Sequence, residues 1–109
     1  MDRTELEHKL ENFKQACIAN GYIDANNQTP LILEESYPGM KPTSFIVNVT
    51  VGEQWLQNQY QVNTLKALTK LLYEKADQQT LENILTLRLC KESFPFDTIE
   101  YPTLENGIA

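Results

Sequence analysis

The sequence predicts an α+β domain of order α-β-β-β-α: a three-stranded antiparallel sheet with two helices on one face, followed by a C-terminal extension. Three patterns carry this expectation. Apolar residues recur at helical spacing from Leu6 to Cys17, occupy every second position from Phe45 to Val51, and form a second helical stripe from Leu65 to Ala76. With 109 residues, 41% of them apolar, the chain supports one modest core and no second independent domain.

The first helix is expected to start at Thr4, which with Glu7 has the spacing of a capping box. Leu6, Leu10, Phe13 and Cys17 form its buried stripe, and Asn20-Gly21 ends it because glycine tolerates the left-handed conformation. Residues 22–30, rich in Asn, Asp and Gln and closed by Pro30, read as a loop, after which Leu31-Ile32-Leu33 opens a strand. Tyr37 to Pro42 is a turn, since proline fixes φ and Gly39 permits positive φ. The strongest strand follows, with Phe45, Val47, Val49 and Val51 on one side and Ile46, Asn48 and Thr50 on the other. Gly52-Glu53 allows a reversal into a third strand from Trp55 to Val62. Asn63 or Thr64 then caps a helix that buries Leu65, Leu68, Leu71, Leu72 and Ala76. Beyond Asp77 the pattern is ambiguous: Leu81, Ile84 and Leu85 suit a helix capped by Thr80, the favoured reading, whereas Leu85, Leu87 and Leu89 suit a strand. The tail from Phe94 contains Pro95 and Pro102 among apolar residues, which excludes regular helix and suggests packing on the domain or on a partner. This divides the chain into a domain over residues 1–78 and an extension over 79–109.

Between Pro30 and Ala76 the spacing resembles the double-stranded RNA-binding domain. That family has a Gly-Pro-x-His turn followed by a Phe-x-Val-x-Val strand; here Pro38-Gly39-Met40-Lys41 precedes Phe45-Ile46-Val47-Asn48-Val49 at the same distance. Gly52 falls on the family's hairpin glycine, Leu56 on its aromatic, and Ala67 on the alanine of its Lys-Lys-x-Ala-Lys motif. The lysines of that motif are replaced by Thr64, Leu65 and Leu68, and the preceding glycines by Gln57, Gln59 and Gln61. The family reads duplex RNA by shape and phosphate contacts, and each missing cation removes part of the salt-dependent attraction. What the resemblance implies is therefore a degenerate member, with Gln15, Lys41 and Lys66 as its residual RNA contacts and duplex RNA bound weakly or not at all.

Nine Lys and Arg against fifteen Asp and Glu give a formal charge of −6, which favours a basic partner surface over a phosphate backbone. The leading expectation is a non-catalytic adaptor or dimerisation module, with a protein partner or a homodimer, in the setting of an RNA-processing complex. Strand parity puts Ile46 and Trp55 on the open side of the sheet, and the expected interface comprises Ile46, Trp55, Gln57, Gln59 and Tyr60. Weak duplex-RNA binding is one alternative. Another is an acidic inhibitor or immunity-type protein that sets Glu5, Glu7, Glu11, Glu34, Glu35, Asp97, Glu100 and Glu105 into a basic nuclease cleft. No enzyme is expected: His8 is the lone histidine and has no nucleophile spaced to partner it. Neither a metal nor a cofactor is expected, because ligand spacings and a Gly-rich phosphate loop are missing. Cys17 and Cys90 read as reduced, packed thiols. The sequence has no run of about 18 apolar residues, and Met-Asp-Arg-Thr-Glu lacks signal-peptide order, so an intracellular protein, cytoplasmic or nuclear, is expected.

Overall fold

A computed structural model describes residues 1–35, 44–57 and 60–91. Its elements are α1 (Arg3–Lys9), α2 (Glu11–Ala19), β1 (Leu31–Glu35), β2 (Phe45–Val51), a 3-10 turn (Glu53–Leu56), α3 (Tyr60–Lys75), α4 (Gln78–Glu82) and β3 (Ile84–Lys91). The class is α+β with a three-stranded sheet in the order β1-β2-β3.

The first helical stripe holds. Leu6, Leu10, Phe13 and Cys17 are all buried, and Gly21 ends α2 with φ of +80°. The start is two residues earlier than the capping-box reading: Asp2, not Thr4, accepts from the Glu5 amide at 2.8 Å. Helix α1 passes into α2 at Leu10, whose own amide still bonds back to Leu6.

In β2 the alternation is realised as expected, with Phe45, Val47, Val49 and Val51 buried against the helices. Strand β1 pairs antiparallel with it, Leu31 opposite Val49 and Leu33 opposite Val47. The third strand departs from expectation. Among the described residues, Trp55–Gln57 and Tyr60–Val62 are not strand: the chain winds into the 3-10 turn, the Trp55 amide bonding the Gly52 carbonyl at 3.0 Å, and α3 begins at Tyr60. Imperfect alternation leaves the strand weakly specified, and Gln61, a good helix former, lies in the first turn of α3. Thr64 therefore lies inside α3 and caps nothing.

The sheet's third member is β3, which pairs parallel with β2, Leu87 opposite Val47 and Leu89 opposite Val49. Hence the sheet is mixed rather than antiparallel, and the order α-β-β-β-α gives way to a crossover in which α3 and α4 connect two parallel strands, as parallel pairing requires. Only a five-residue helix follows Asp77, capped by that residue through the Thr80 amide, before the Leu-x-Leu-x-Leu pattern becomes strand. Leu87 and Leu89 gain more by packing on the sheet than leucine gains from its helical preference. A register shift at Phe45/Ile46 leaves Leu85 outside the ladder and 46% exposed. Residues 79–91, read from sequence as extension, thus supply the sheet's third strand and part of its core. The tail from Phe94 and the Tyr37–Pro42 turn lie outside the described residues.

Candidate interaction surface

The sheet's outer face carries Ile32 and Glu34 from β1, Ile46, Asn48 and Thr50 from β2, and Thr86, Arg88 and Cys90 from β3. Ile46, expected there by parity, is half-buried on it. Arg88 reaches across β2 to Glu34, with Nη1 at 3.5 Å from the carboxylate. Asn48 is buried, its amide donating to the Ile32 carbonyl at 3.1 Å and its oxygen accepting from the Cys90 thiol at 3.6 Å.

Trp55 is not on this face. The parity argument assumed a strand; in the 3-10 turn the indole packs on Tyr22 with ring centroids 4.7 Å apart, and Nε1 donates to the Gly21 carbonyl at 3.0 Å. It clamps the turn after α2 to the turn after β2, where the Gly52 amide also bonds the Tyr22 carbonyl. Gln57 is exposed at the end of that turn, and Tyr60, 60% exposed, opens α3. Gln59 lies outside the described residues. Of the five interface residues expected, Gln57 and Tyr60 share one surface, Ile46 occupies another, and Trp55 serves the fold.

The residual RNA set is dispersed too. Gln15, exposed on α2, spends its amide on the Glu11 carboxylate at 3.0 Å. Lys66 is exposed on α3, with Lys70 one turn on, and Lys41 lies outside the described residues. Leu65 and Leu68, which stand where the family has lysines, are buried core residues.

A feature that the sequence reading passed over lies along the outer edge of β1. A groove of about 520 Å³ separates this edge from one continuous flank of α1 and α2. Its helical wall carries Arg3, Glu7, Glu11 and Lys14 at helical spacing, and its floor includes Leu31, Ile32 and Leu33. Side chains of successive strand residues alternate between faces, so three in a row line one groove only when it runs along the strand's edge. Lys14 bonds Glu11 at 2.8 Å, and this contact, followed by that from Gln15, lowers the Glu11 pKa. The charges of Glu7 and Glu11 were legible, but which strand is an edge is a property of topology, hidden from sequence pattern.

The described residues hold no group of three or more His, Cys, Asp or Glu placed to bind a metal, and no helix among them is long and apolar enough to cross a membrane. Burial pushes the Cys17 thiol up to about 12 and raises that of Cys90, so neither is a ready thiolate. Comparison with protein-family models, with curated proteins and with solved structures returned no match.

Proposed function

We propose that this protein is a non-catalytic interaction module that binds a protein partner, as an adaptor or a dimerisation domain. The observation that carries the reading is the three-stranded sheet, flanked by β1 and β3 with no further strand beside either among the described residues. Unpaired strand edges offer rows of N–H and C=O groups to another chain. Ile46, Gln57 and Tyr60 extend the available surface, and the acidic balance favours a basic partner.

The test is affinity capture on the immobilised full chain at physiological salt, compared with the variants Ile46→Glu and Tyr60→Glu. A protein retained in stoichiometric amount, and lost on either variant with the circular dichroism unchanged, supports the module. Retention unaffected by both would move the interface elsewhere.

Duplex RNA is the second reading, favoured by Lys66 and Lys70, both exposed one turn apart on α3. A gel shift with a duplex of about 20 base pairs, longer than the roughly 16 such domains span, decides it. Binding at low salt that fades steeply with added salt would put RNA first.

A further inference from the structure

We infer that the groove beside β1 takes one extended segment of a partner protein, added to the sheet as a fourth strand; this rests on the interaction-module reading and specifies its site. The backbone directions are fixed by two bonds. Thr50 donates its amide to the Pro30 carbonyl at 2.9 Å, and Asn48 donates its side-chain amide to the Ile32 carbonyl at 3.1 Å, so both carbonyls turn toward β2. Alternation in an antiparallel ladder then turns the N–H and C=O groups of Leu31 and Leu33 the other way, into the groove. Neither residue has a hydrogen bond from these outward groups to any described residue.

The wall selects the occupant. The α1–α2 flank faces Leu31, Ile32 and Leu33 across the groove, so a second copy would have to bring its own α1–α2 wall against this one together with its β1, whereas a single extended strand carries no such wall. Arg3 and Lys14 offset Glu7 and Glu11, which leaves the groove locally neutral in an acidic chain. An incoming strand sets alternate side chains on the helix side, beside Leu31 and Leu33, where apolar groups fit. Its intervening side chains fall on the outer face beside Ile32 and Glu34, whose half-exposed carboxylate, 3.5 Å from Arg88 Nη1, can take a second basic group. The ligand is thus an extended segment alternating apolar and basic residues.

The experiment titrates the isotope-labelled full chain with the capped peptide Lys-Val-Lys-Val-Lys-Val and follows backbone amides by NMR. Controls are a Glu-for-Lys peptide and two copies with every second amide N-methylated, one in each register, which keep charge and side chains but lose ladder donors. Saturable downfield shifts of the Leu31 and Leu33 amides, with binding at least tenfold weaker for the Glu peptide and for one N-methylated register, are expected. Leu31→Pro removes one outward donor and should weaken binding by a similar factor; the methylated peptides serve the same purpose should that variant misfold. Unmoved Leu31 and Leu33 amides at millimolar peptide, or equal binding of both methylated copies, overturns the proposal. Shifts confined to α3 would remove the groove while leaving the module reading intact, whereas a capture experiment that retains no protein would overturn that reading itself.

Discussion

At the scale of single residues, Trp55 shows how one wrong element displaces a function. Its ring was legible as an anchor, but its partner is internal. Trp55→Phe should lower stability by about 0.5–1.5 kcal/mol through loss of one hydrogen bond, measured by urea unfolding. Gly21 and Gly52 make an opposite pair. At φ of +80°, Gly21→Ala should cost about 1–2 kcal/mol. Gly52 has φ of −61°, and an added Cβ meets only the flexible tip of Gln54, at 2.5 Å from Oε1. Gly52→Ala should be neutral or stabilise by up to about 1 kcal/mol through a less flexible unfolded chain, in the same urea assay. A loss comparable to that of Gly21→Ala would show that Gln54 cannot move aside.

At the scale of elements, periodicity was a reliable guide wherever one face met one core. Leu6, Leu10, Phe13 and Cys17, the β2 alternation, and Leu65, Leu68 and Leu72 all lie where their spacing put them. The two failures, residues 55–62 and 84–91, are short segments with weak patterns: alternation over 55–62 is imperfect and the chain turns into helix there, whereas 84–91 suits helix or strand and pairing with β2 decides it. The strand assignment of β3 has a direct check: Leu87→Ala should cost about 2–5 kcal/mol, whereas Leu85→Ala, at the register shift, should stay within about 0.5 kcal/mol. A helix through this segment would give both substitutions similar weight. Helix α4 supplies a pH prediction. Hydrogen bonds from the Thr80 side chain and amide lower the Asp77 pKa below its usual 3.8, so the cap contributes fully above that value and fades as pH falls through the lowered one. Asp77→Asn keeps an acceptor without the titration, and its stability relative to the parent should therefore improve below about pH 4, as followed by acid-dependent thermal melts.

At the scale of the whole molecule, the sequence disclosed the class and the core but not the connectivity. The spacing from Pro30 to Ala76 resembles an RNA-binding meander, and no local pattern distinguishes that path from a crossover returning with residue 84. Because β3 closes the sheet, a chain ending at residue 83 should lose its cooperative unfolding transition and its near-ultraviolet signature, although it retains all of residues 1–78. Cooperative folding of that fragment would show instead that β3 is an accessory. The same topology also fixes the order in which the protein is completed during synthesis. Strands β1 and β2 are made first, and roughly 40 more residues must be added before β3 is complete, about 2–8 s at ordinary translation rates. For that interval β2, the most apolar of the described strands, has a bare flank, so nascent chains on neighbouring ribosomes are the first competitors for the place that β3 will take.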